Sequence, residues 1–145
     1  MFYPARVFTP DQEATIVAAI RAFERRTRGE MRVHVEHRLR RPPLDEAKIV
    51  FSALEMHHTQ ERNGVLILLA PAQRSFAVFG DVGIDAVVEP GFWEGVRDRM
   101  REHLASGDYV AGIVRGIEAV GEALVEYFPW REGDVNELPD DISYG

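Results

Sequence analysis

Val65-Leu66-Ile67-Leu68-Leu69-Ala70, then Pro71-Ala72-Gln73-Arg74, then Ser75-Phe76-Ala77-Val78-Phe79-Gly80, is the stretch on which the fold turns. An unbroken apolar run of this length, bounded by turn residues, reads as a strand covered on both faces. The proline-containing tetrapeptide makes a tight turn, so 75–80 returns antiparallel beside 65–70. Upstream, Met31, Val33, Val35 and Leu39 alternate with Arg32, His34, Glu36 and Arg38, which predicts a half-buried strand over 30–39. Arg41-Pro42-Pro43 breaks it, and Leu44, Ala47, Val50, Phe51 and Leu54 recur at helical spacing. A strand–helix–strand connection makes 30–39 and 65–70 parallel through a right-handed crossover.

The flanks supply the other layers. Thr9-Pro10-Asp11-Gln12 combines an N-cap, a first-turn proline and a capping-box Gln. Ile16, Val17, Ile20 and Phe23 then form one stripe, so a helix is predicted over 11–28, with Gly29 as its stop. Trp93, Val96, Met100 and Leu104 predict a helix over 91–105, and the mostly apolar run after Tyr109 predicts another over 109–128. Glycines 112, 116 and 121 cost that last helix about 1 kcal/mol each relative to Ala, so a close neighbouring backbone is expected against it. The order α-β-α-β-β-α-α amounts to a three-layer α/β/α sandwich: a Rossmann-like mixed sheet with a parallel first pair and an antiparallel hairpin strand. Residues 1–128 form one α/β domain, and 129–145 an acidic tail packed on it or trailing from it.

The 145 residues, 46% hydrophobic and 28% charged, describe an ordinary globular chain. There is no apolar run of membrane-spanning length and no signal-peptide layout, so a soluble, cytoplasmic protein is expected. Without cysteine, thiol chemistry and Cys-ligated metals are excluded. Residues 118–145 carry eight carboxylates and one arginine, which accounts for the whole formal charge of −7. Seven arginines crowd residues 25–41, yet no aromatics interleave with them, so intramolecular pairing or a solvated face is expected rather than nucleic-acid binding. Sixteen of the 17 basic residues are arginine.

No P-loop, dinucleotide fingerprint, nucleophile elbow, zinc-protease motif or EF-hand is present. One juxtaposition follows from the topology. In the hairpin, the start of 65–70 lies beside the end of 75–80, which brings Glu61, Arg62 and Asn63 next to Gly80, Asp81, Gly83 and Asp85. The parallel strand opens at Glu30 on the same rim. Carboxylates and carbonyls gathered there suit Ca²⁺ or Mg²⁺, while Arg62 suits an anion. The same residues also serve as ordinary turn chemistry. His57 and His58 read as loop histidines, one of which can join the rim; His34 is expected on the solvent face of its strand and His103 on a helix surface.

Several of these stretches resemble the TPM domain family: Glu24 with Arg28-Gly29-Glu30, Arg62-Asn63-Gly64-Val65-Leu66, Phe79-Gly80-Asp81-Val82-Gly83-Ile84, and Gly107-Asp108-Tyr109 leading into Gly112-Ile113. The likeness runs over roughly residues 9–128. Phe128-Pro129, Asn136-Glu137-Leu138-Pro139 and Ile142 resemble a branch of free-standing bacterial members. The resemblance implies a central sheet flanked by helices. It also implies the acid phosphatase activity and calcium binding associated with some plant members; bacterial relatives are often described as phosphatases. Other branches carry Asp where this chain has Arg62, which removes a carboxylate from the rim.

Two functions are therefore carried forward. The first is a non-enzymatic module that binds a partner protein or small ligand at the rim through residues such as Asn63, Gly80 and Gly83, or through the acidic tail. The second is a metal-assisted phosphatase acting on a phosphorylated small substrate. There Asp81 and Asp85 would hold the cation, Arg62 would clamp phosphate and Glu30 or Glu61 would act as general base.

Overall fold

Thr9 opens the first helix as a capping box. Its hydroxyl accepts from the Gln12 N–H at 3.2 Å, and its own N–H donates to the Gln12 side chain at 2.9 Å. The computed structural model describes residues 7–134 and 138–145; Asn136 and Glu137 of the tail motif lie outside the described residues. Helix α1 (Pro10–Glu24) ends four residues sooner than the predicted 28. Thr27 accounts for this: buried, it bridges to Pro129, and its hydroxyl lies 2.6 Å from the Phe128 carbonyl and 2.9 Å from that of Leu124. Gly29 is not the helix stop. A Cβ there would meet the Leu124 side chain at 2.5 Å, so its lack of a side chain serves packing.

Strands β1 (Glu30–Val35) and β2 (Gly64–Ala70) pair in parallel, from Glu30 opposite Gly64 to Val35 opposite Leu69. Strand β3 (Ser75–Gly80) runs antiparallel to β2, from Val65 opposite Gly80 to Ala70 opposite Ser75. Val65 to Ala70 are all 2% exposed or less, as a central strand requires. β1 stops at Val35 rather than 39, because the following loop is tied to the hairpin turn by a side chain. The Leu39 N–H donates to Gln73 Oε1 at 2.5 Å, and Gln73 Nε2 donates back to the Leu39 carbonyl at 3.3 Å.

The tail contributes a fourth strand. β4 (Ser143–Tyr144) pairs in parallel with β1, giving the order β3-β2-β1-β4. This corrects the place of His34, which is 5% exposed rather than on a solvent face. Its Nδ1 is 2.8 Å from Ser143 Oγ and its Nε2 is 2.9 Å from Glu36 Oε2. Arg21 pairs with Asp140 at 3.4 Å, Arg32 donates to the Asp141 carbonyl at 3.1 Å, and Ile142 joins the main core. Arg32 of the arginine-rich stretch is thus used inside the molecule.

Helices α1, α4 (Phe92–Ala105) and α5 (Tyr109–Tyr127) pack on one face of the sheet around Val33, Val65, Ile67, Ile113 and Ile117. Helix α2 (Pro43–Ala53) covers the other face with Ala47, Val50 and Phe51 against Leu66, Leu68 and Ala77. The result is the three-layer α/β/α sandwich with a mixed sheet. Gly112 and Gly116 admit side chains of α4 rather than a backbone. A Cβ would stand 2.5 Å from Leu104 Cδ2 at the first and 2.6 Å from Met100 Sδ at the second. Among the described residues, no helix is long and apolar enough to cross a membrane.

Candidate functional site

The hairpin register brings the loop before β2 against the turn after β3, as the topology demands. The Asp81 N–H donates to the Gly64 carbonyl at 2.9 Å, and the Gly83 N–H donates to the Arg62 carbonyl at 2.8 Å. Gly83 is indispensable to this approach, since a Cβ there would collide with the backbone oxygens of Glu61 and Arg62. Asp81 then caps a short helix, α3 (Val82–Asp85), where only a glycine turn was foreseen; its Oδ1 accepts from the Val82 N–H at 2.8 Å.

Arg62 sits in the left-handed region at φ 52°, and its guanidinium closes on Asp81 with both forks. Nε lies 2.6 Å from Oδ2 and Nη2 lies 2.8 Å from Oδ1. The Asp81 side chain is 3% exposed, whereas that of Arg62 is 47% exposed, so a buried carboxylate anchors a guanidinium that still faces solvent. Hydrogen bonding to Asp81 raises the Arg62 pKa, and the group stays charged at every accessible pH.

The remaining predicted residues are placed as follows. Glu61 receives Arg28 in a two-pronged pair, at 2.5 Å and 3.1 Å, with Arg131 3.7 Å away; that hydrogen bond raises the Arg28 pKa. Asp85 accepts from the Trp93 indole at 2.9 Å, and a Cβ on Gly80 would overlap the same indole. Asn63 is 1% exposed and spans to the Arg28 carbonyl at 3.5 Å. Glu30 reaches the rim through its backbone, its N–H 3.5 Å from the Asn63 carbonyl, while its side chain lines a separate small crevice with Glu24, Thr27 and Asp140.

Both carboxylates foreseen as metal ligands have partners inside the molecule. Asp81 and Asp85 already accept from Arg62 and Trp93, and among the described residues no three His, Asp or Glu side chains gather as a metal set. A divalent ion at Asp81 would share that carboxylate with the Arg62 guanidinium.

The sequence reading missed what α2 adds. A pocket of about 340 Å³ opens beside the Arg62–Asp81 pair, bounded by Lys48, Phe51, Ser52, His57 and Phe79. Phe51 and Phe79 meet edge to face at 5.0 Å, and the Lys48 ammonium lies 6.0 Å from the Phe79 ring centre. The loop around Arg62 also carries buried side-chain atoms with no hydrogen-bond partner: His57 Nδ1, Thr59 Oγ1 and Asn63 Oδ1. Such unspent polar atoms are uncommon in folded proteins and here fall within seven residues of chain. The available signal was Lys48 itself, the single lysine in a chain otherwise using arginine.

Comparison with known proteins gives a consistent picture. The TPM domain matches residues 2–123. The BA42 protein of the psychrophilic bacterium Bizionia argentinensis is 41% identical, with each chain covered over 100% and a TM-score of 0.91. The N-terminal domain of a protein from P. gingivalis is 23% identical, covering 87% of this chain and 83% of its own, with a TM-score of 0.66. That of the cg2496 protein from Corynebacterium glutamicum is 15% identical, covering 81% and 74%, with a TM-score of 0.64. These last two share the fold. None of the curated proteins compared is a match.

Proposed function

This chain belongs to the TPM domain family, and from that premise we propose that it is a binding module that seats an anionic group against Arg62 at the sheet rim. The group can be carried by a small ligand or by a partner protein. The observation that carries this reading is the anchoring of Arg62. Asp81, buried and bidentate, fixes the guanidinium, while its Nη1 donors have no hydrogen-bond partner among the described residues. A pre-oriented guanidinium loses little freedom when it takes an oxyanion, which is where preorganisation yields affinity. Binding is favoured over metal-assisted hydrolysis because Glu61, one of the two foreseen general bases, and both foreseen metal ligands are engaged by neighbours, while Glu30 lines a separate crevice. Glu61 is held by Arg28, Asp85 by Trp93 and Asp81 by Arg62.

Two measurements on one sample test this. Calorimetric titration with inorganic phosphate should show binding that Arg62→Gln removes. Incubation with p-nitrophenyl phosphate, with Ca²⁺ and with Mg²⁺, should release no nitrophenolate above buffer. Ion-dependent turnover that disappears in Asp81→Asn would replace the binding module with the phosphatase.

A further inference from the structure

We infer that the ligand of this rim is an oxyanion borne on a flat apolar body, of the class of aromatic carboxylates and aromatic phosphate monoesters, and that Lys48, His57 and Phe79 select it. The inference rests on the reading of Arg62 above and adds the second half of the site.

The pocket between α2 and β3 joins two unlike surfaces. Its wall is aromatic, with Phe51 3% exposed and packed edge to face on the half-buried Phe79. Its charged edge holds Arg62 and Lys48, against the single carboxylate of Asp81, which is already spent on Arg62. No ion pair involving Lys48 occurs among the described residues, and its ammonium lies over the Phe79 ring, 6.0 Å from its centre, so charge and ring border the pocket together. A bare inorganic anion would satisfy the edge and leave the aromatic wall wet; a neutral aromatic would do the reverse. Only a ligand with both parts uses the whole pocket, and about 340 Å³ suits a single ring with its charged substituent.

His57 and Ser52 supply adaptable polar contacts. The His57 Nδ1 is buried with no hydrogen-bond partner, on a ring that packs against His58 at 4.1 Å and lines the pocket. The exposed Ser52 stands one helical turn beyond Lys48 on the same face of α2 and lines the pocket beside it.

The test compares phenyl phosphate, benzoate and inorganic phosphate by calorimetry on the full chain. Both aromatic anions should bind about tenfold tighter than inorganic phosphate, a difference expected from one ring stacked on Phe79. Lys48→Gln, an exposed change that leaves the core untouched, should weaken both by about tenfold through loss of the charge. Phe79→Leu keeps the bulk and should abolish the aromatic preference while leaving inorganic phosphate unchanged. The inference is overturned if inorganic phosphate binds as tightly as phenyl phosphate, if Lys48→Gln changes nothing, or if none of the three binds at millimolar concentration. The two readings fail separately. Inorganic phosphate binding that depends on Arg62 alone would retain the rim and remove the aromatic pocket. Phenyl phosphate binding that survives Arg62→Gln but not Lys48→Gln would retain the pocket and remove the role of Arg62.

Discussion

Arg62 and Asp81 show how a rim residue's role depends on its neighbour's charge. Asp81 is almost sealed from water, so its carboxylate needs a cation, and Arg62 supplies one covalently attached. Arg62→Asp should therefore place two carboxylates together and lower the melting temperature in the presence of a chelator. Millimolar Ca²⁺ should restore it by mass action, while leaving the parent protein unmoved. A parent protein that shifts with Ca²⁺, or a variant that does not, would show that Arg62 is no substitute for an ion. Gly83→Ala should cost about 1–3 kcal/mol in urea unfolding, because its Cβ collides with backbone oxygens that cannot step aside. That Arg62, Asp81 and Gly83 are neighbours was legible from the hairpin register alone. That Arg62 would close on Asp81 was not, because it depends on a positive φ that a non-glycine residue seldom adopts.

At the scale of elements, the tail decides what the sheet edge looks like. His34 holds β4 through Ser143 while Glu36 steadies the other ring nitrogen. His34→Ala should destabilise the fold by about 1–3 kcal/mol through the hydrogen bonds lost in a buried place. It should also speed hydrogen exchange at the Gly145 amide, which donates to the Val35 carbonyl at 2.9 Å; unchanged exchange would mean that other contacts hold the tail. On the opposite face, Gly116→Leu should overpack Met100 and cost about 1–3 kcal/mol despite leucine's better helix propensity, as read by chemical denaturation. β2 and β3 were legible because their periods and turn are local. β4 was not: two residues acquire a strand only by pairing with β1, and alternation in β1 placed His34 among polar residues with no hint that the tail would cover it.

For the whole molecule, the distribution of charge separates structure from recognition. Arg21 is held by Asp140, and of the crowded arginines Arg28 is held by Glu61 and Arg32 by the Asp141 carbonyl, so these three bind the tail and a loop to the domain. Lys48 and Arg62 instead meet at a pocket with one spent carboxylate. The layers of the sandwich were legible from periodicity, but the pocket was not. It exists because α2 lies across β2 and β3 at one particular place, a matter of how Phe51, Leu66 and Ala77 pack rather than of any motif. The most direct check on this account is a nitrogen-15 NMR titration of the full chain with phenyl phosphate. The amides that move should cluster at 48–52, 57–64 and 79–83, and Arg62→Gln should abolish the movement. Shifts confined to α4 and α5, or an undiminished response in Arg62→Gln, would contradict it.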